Sequence, residues 1–211
     1  MTQVIPPPNR AIAELLKRLG DIPIERVRFD PPPGKARIED LHDLKNRNCE
    51  LIDGTLVEKP VAWEDSNLGI WIATLLNTYV IPRNLGKVAG EQGFVELPVG
   101  SVRGPDVSFV SWDRLPEALT AYPAMVPDFV VEVLSLSNTK GEMLRKREEY
   151  FGSGVLLVWE VDPRLRIVKA FTSIDEFNSH ADGDTLDADP AVPGFRLEVS
   201  QIFAELDRRR P

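Results

Sequence analysis

The sequence predicts an α/β domain with a central mixed β-sheet flanked by helices, preceded by an N-terminal helical arm. Three observations carry this. Short apolar, β-branched runs such as Phe129-Val130-Val131-Glu132-Val133-Leu134 and Val155–Val161 have strand length and composition. Longer stretches between such runs repeat apolar residues at helical spacing, most fully over residues 64–80. Turn signals such as Asp53-Gly54 and Asp162-Pro163 separate neighbouring apolar runs.

Residues 1–35 read as an arm and Pro-rich linker, 36–206 as the domain, and 207–211 as a polar tail. Pro6-Pro7-Pro8 suits an extended or disordered segment. Ala11–Leu19 predicts a short amphipathic helix ended by Gly20, and Pro31-Pro32-Pro33-Gly34 a linker. Residues 36–47 predict a helix with Ile38, Leu41 and Leu44 inward. Asp53-Gly54 then turns a hairpin that carries Glu50 at the start of its first strand, where a glutamate is most often solvated. The helix over 64–80 turns Leu68, Ile72, Leu75, Leu76 and Tyr79 to one face and ends before Pro82. Short strands follow near 87–89 and 93–97. Pro105 cannot donate to a ladder, so it opens the next strand and sets Asp106 at its mouth. Residues 111–126 predict a polar connection with a short helix. After the strand–helix unit of 129–150 come two strands joined at Asp162-Pro163, a short element with a loop rich in Asp, Gly and Pro over 173–194, and a closing strand and helix over 195–206.

Composition bounds the chemistry. With 211 residues and 43% hydrophobic content, the chain can bury a full core, yet no apolar run reaches membrane-spanning length. The start MTQVIPPPNR has no basic-then-apolar pattern of a signal peptide, and the single cysteine, Cys49, permits no internal disulfide; both predict a cytoplasmic protein without a membrane partner. Two histidines and one cysteine cannot build a zinc cluster, so a metal site would be made of carboxylates, which suits magnesium or manganese. The net charge of −8 argues against a general nucleic-acid coat, though not against a local basic rim.

The strand–helix unit concentrates the chemistry. Glu132 lies inside an apolar strand, where an ionised carboxylate must be paired, protonated or bound to a metal. Ser135, Ser137, Asn138 and Thr139 offer helix-cap chemistry, and the helix then presents Glu142, Lys146 and Tyr150 on one face. Asp106 and Glu132 on adjacent strands could hold a hard divalent cation, which activates a bound water, and Lys146 could orient that water or offset charge.

Taken with their order, Gly104-Pro105-Asp106-Val107, Pro127-Asp128-Phe129-Val130-Val131-Glu132-Val133-Leu134-Ser135, Lys146 with Tyr150, and Val158-Trp159-Glu160-Val161-Asp162-Pro163 resemble the Uma-type restriction endonuclease family of the PD-(D/E)XK nuclease superfamily. Glu50-Leu51-Ile52-Asp53-Gly54 and Pro193-Gly194-Phe195 resemble it too, so the likeness spans roughly residues 36–206. It implies a restriction-endonuclease-like fold and a magnesium- or manganese-dependent endonuclease acting on DNA. Asp106, Glu132 and Glu50 would be metal ligands and Lys146 the catalytic lysine, moved from strand to helix. A homodimer would serve the cutting of both strands. Two departures stand out: Leu134 occupies the usual lysine position two residues after Glu132, and Asp65 stands where the family often has histidine. Leu134 and the acidic balance favour an alternative, a catalytically inactive nuclease-fold module for binding or assembly. Plainer roles also exist: Lys146 could pair with Glu142 at i, i+4, Tyr150 could simply pack, and Arg145 and Arg147 could be a solvated face or touch phosphates.

Overall fold

The structure is a computed structural model that describes residues 8–60 and 62–208. Pro6 and Pro7 of the expected extended segment, and residues 209–211 of the expected tail, lie outside the described residues. Among the described residues, helices α1 (Pro8–Arg18), α2 (Trp63–Arg83), α3 (Lys140–Ser153) and α4 (Val199–Asp207) surround twelve strands. These are β1 (Cys49–Ile52), β2 (Thr55–Glu58), β3 (Gly86–Gly90), β4 (Val95–Glu96), β5 (Val102–Arg103), β6 (Val107–Ser111), β7 (Phe129–Val133), β8 (Leu157–Asp162), β9 (Ile167–Phe171), β10 (Phe177–His180), β11 (Thr185–Asp187) and β12 (Arg196–Glu198). No helix among the described residues is long and apolar enough to cross a membrane.

The central sheet runs β10-β9-β8-β7-β6-β3, with β7 parallel to β8 and the other pairs antiparallel. It is therefore the mixed sheet that the sequence predicts. Strand alternation divides its residues between two faces. Phe129, Val131 and Val133 join Leu157, Trp159 and Val161 in the main core with residues of α2 and α4. Val130 and Val158 point the other way, into a cluster with Tyr150 of α3. Glu132 lies on that second side, so α3 roofs it. A four-stranded sheet, β2-β1-β5-β4, and the two-stranded β11-β12 complete the fold.

Local chemistry explains most of these elements. Asp53 and Gly54 both have positive φ (48° and 65°), as a two-residue hairpin requires. Thr139 caps α3 by accepting the Glu142 N–H, and Gly154 ends the helix at φ 99°. The arm packs on the body: Leu19, Ile22 and Val27 share a buried cluster with Ile52 and Val57. Gly20 and Gly141 meet backbone to backbone, where a Cβ on either would fall within 2.7 Å of the other segment.

Four local expectations fail. Pro8 opens α1 and does not extend the proline segment, since proline suits the first turn of a helix. Residues 36–47 form two 3₁₀ turns, Ile38–His42 and Leu44–Asn46, instead of one helix, and Leu44 is 70% exposed while Leu41 is buried. Asp43 interrupts them with extended backbone (ψ 133°) and accepts the Lys45 N–H, a local bond that competes with helix. Residues 112–126 hold no helix; Pro116 and Pro123 lack the backbone donor that a helix needs. Pro82 sits in the last turn of α2 and does not stop it; the helix closes at Asn84, whose φ is 51°.

Candidate active site

Antiparallel register sets the two strand acids together. Val107 pairs with Val131, so one step further along the ladder brings Asp106 beside Glu132. Asp106 sits just before β6 and its Oδ2 accepts the Val133 N–H at 2.7 Å, which fixes the carboxylate. Glu132 accepts from two residues of α3: Lys146 Nζ at 2.7 Å on Oε2 and the Tyr150 hydroxyl at 2.6 Å on Oε1. The helical spacing of 146 and 150 puts both donors on the face that covers β7. Glu50 arrives from β1. Its Oε1 lies 3.9 Å from Lys146 Nζ and accepts the Gly104 N–H at 3.2 Å, while its Oε2 takes Arg103 at 2.7 Å. Glu50, Asp106, Glu132 and Lys146 thus line one cavity of about 20 Å³, room for about one water molecule.

Asp106 at the mouth of β6 and Glu132 on β7 thus lie side by side, with Lys146 of α3 on Glu132. A family model described as Uma2, "Putative restriction endonuclease", matches residues 38–200. The chain belongs to the Uma2 family. Its fold is shared with a solved structure described as a putative nuclease belonging to DUF820 from Anabaena variabilis ATCC 29413. The two are 18% identical with a TM-score of 0.68, over 75% of this chain and 90% of that one. A search of curated proteins finds no match. The Uma2 chain thus carries the restriction-endonuclease-like fold that its motifs imply.

Several plain readings of the residues give way to the observed contacts. Glu50 is buried and not solvated. Glu142 takes a two-bond pair from Arg26 (2.9 and 2.6 Å), which leaves Lys146 to Glu132. Tyr150 does more than pack. Arg145 holds Asp53 and Glu149, and Arg147 holds Glu160 and the Ile174 carbonyl, so neither is a solvated cation.

Two participants escape the sequence reading. Arg103, fully buried, bridges Glu50 and Glu149, each at 2.7 Å. Its position three residues before Asp106, beside a glycine and a proline, was the available signal. Lys59 continues the alternation of Thr55 and Val57 past β2, which puts it on the same face as Glu50. Its ammonium lies 2.8 Å from Asp106 Oδ1, yet without the alignment of a hydrogen bond.

Burial opposes every charge here, and the neighbours decide the outcome. Burial raises the Glu50 carboxyl, but Lys146, Arg103 and Lys59 overcome it and hold its pKa at about 2. Burial lowers Lys146, but Glu132, Glu50, Glu142 and Asp106 prevail and keep it above the ordinary lysine value. These carboxylates hold Lys146 as an ammonium. Burial pushes Glu132 up, with Lys146 opposing and Asp106 reinforcing. Burial and Glu132 raise Tyr150 well above its usual value, so the phenol keeps the proton it donates.

The donor set suits a hard divalent cation: six carboxylates (Glu50, Asp65, Glu91, Asp106, Glu132 and Glu142) and no soft ligand line one small polar cavity. As the side chains stand, among the described residues no three acidic or His/Cys groups converge as a metal cage. Two ammoniums, Lys59 and Lys146, balance the carboxylates instead.

Proposed function

We propose that the protein is a metal-dependent endonuclease that hydrolyses phosphodiester bonds in DNA. The observation that carries this reading is the ammonium of Lys146 buried against Glu132, with Asp106 on the adjoining strand, in a chain of a nuclease family. Asp106 and Glu132 would hold magnesium or manganese, with Glu50 as the third carboxylate. The bound ion would supply Lewis acidity and a more acidic water. The protein's own groups do the rest. Val133 N–H and Tyr150 fix the orientation of the two ligands. Lys146, an ammonium on a helix, could hydrogen-bond an attacking water or offset charge on a phosphate oxygen. The helix position compensates for Leu134, because it delivers the ammonium to the same carboxylate that a strand lysine would approach.

Cutting both strands of a duplex would call for two sites and hence a homodimer. Calorimetric titration of magnesium and manganese into wild type and Glu132→Ala, with and without DNA oligonucleotides, tests the reading. Binding that disappears in the variant supports it; no binding by folded wild type in any of these mixtures refutes it and favours a catalytically inactive binding or assembly module, for which Leu134 and the Lys59–Asp106 contact would then speak.

A further inference from the structure

We infer that Lys59 is a resident counter-ion of the site, occupying Asp106 until a divalent cation displaces it. The inference rests on the metal reading above. A lysine with its side chain only 7% exposed needs a compensating charge, and its contact is Asp106 Oδ1 at 2.8 Å. That contact differs from the one Lys146 makes. Lys146 donates a well-formed bond to Glu132, whereas among the described residues the Lys59 ammonium has no aligned hydrogen-bond acceptor. It is held by charge alone and is the easier of the two to move.

The backbone supports a side-chain movement. Lys59 is pinned on both sides by Asn48, through its own N–H to the Asn48 carbonyl (2.8 Å) and its carbonyl to the Asn48 side-chain amide (2.7 Å). The strand end therefore stays in place while the flexible stem swings. Asp106 cannot turn away to escape it, because its other oxygen is tied to the Val133 N–H. A cation arriving at Oδ1 must share that oxygen with Lys59 or replace it, and two like charges on one oxygen repel. Once displaced, the ammonium remains at the edge of the cavity that Asp106 and Glu132 line.

The test is calorimetric titration of manganese into the full chain, comparing wild type, Lys59→Met, Asp106→Asn and the double variant. Lys59→Met should bind manganese about tenfold tighter or more, since one competing charge is gone. In the Asp106→Asn background the same substitution should change affinity less than about twofold, which separates competition at Asp106 from long-range charge. Affinity in Lys59→Met equal to or weaker than wild type, or a gain that persists without Asp106, overturns the inference while leaving the metal reading intact. Absence of binding in both wild type and Lys59→Met overturns both. Should Lys59→Met not fold by circular dichroism, Lys59→Gln is read by the same criteria.

Discussion

Glu132 illustrates how a carboxylate is kept in a β-strand core. Its two oxygens take one ammonium and one phenol, both from α3, and these bonds offset its desolvation. Removing the phenol leaves one buried oxygen short of a donor. Tyr150→Phe should therefore lower stability by about 1–3 kcal/mol in a denaturant titration. Glu50 makes a pH prediction. Its folded pKa of about 2 lies below the ordinary 4.5, so its contribution to stability is present above about pH 4.5 and is lost as pH falls towards 2. The depressed Glu142 and Glu149 act in the same direction. Glu50→Gln should cost about 3 kcal/mol at neutral pH, with the gap to wild type closing between about pH 4.5 and 2. A gap that stays constant with pH would show that Glu50 acts through shape and not through charge.

At the scale of elements, the site depends on where α3 starts. The helix is held at its first turn by Gly20 against Gly141, by the Thr139 hydroxyl on the Gly20 carbonyl, and by Arg26 on Glu142. Gly141→Ala would place a methyl 2.7 Å from the Gly20 carbonyl oxygen. It should destabilise by about 1–3 kcal/mol and lower any cleavage, because Lys146 rides on the same helix. Thermal melts alongside activity would measure both. The strand–helix unit was legible because an apolar, β-branched run gives way, at a cap of Ser135 to Thr139, to the helical spacing of Glu142, Lys146 and Tyr150. The hairpin at Asp53-Gly54 was legible because its turn demands positive φ. Residues 36–47 misled because an apolar spacing of three suits helix and 3₁₀ turns alike, and Asp43 decides between them locally. Within the site, Asp106, Glu132 and Lys146 could be read from strand and helix patterns. Lys59 and Arg103 were harder to read, since their partners Asp106 and Glu50 are 47 and 53 residues away in sequence: Arg103 meets Glu50 across the β1–β5 pair, and Lys59 reaches Asp106 from the end of β2.

For the whole molecule, the net charge of −8 and the pairing of its cations set how it could meet DNA. Arg26, Arg145 and Arg147 are committed to carboxylates, and half-exposed Arg164, at the groove next to the cavity, lies 3.4 Å from Asp162. With so few unpaired cations near the cavity among the described residues, about one or two phosphate contacts would give only about a three- to tenfold loss of DNA affinity between about 50 and 200 mM salt, far less than for a basic DNA-coating protein. Fluorescence anisotropy across that range would check it; a loss of about a thousandfold would mean a basic surface elsewhere carries the binding. The arm, the small sheet and α3 each contribute to the lining of the cavity that holds the carboxylates, through Arg26, Glu50 and Lys146. The most direct measurement of the central claim is cleavage of plasmid DNA with manganese by wild type, Glu132→Gln and Lys146→Met, each first shown to be folded. The account predicts nicking or linearisation by wild type that falls at least about a hundredfold in both variants. Equal cleavage by wild type and the folded variants would contradict it.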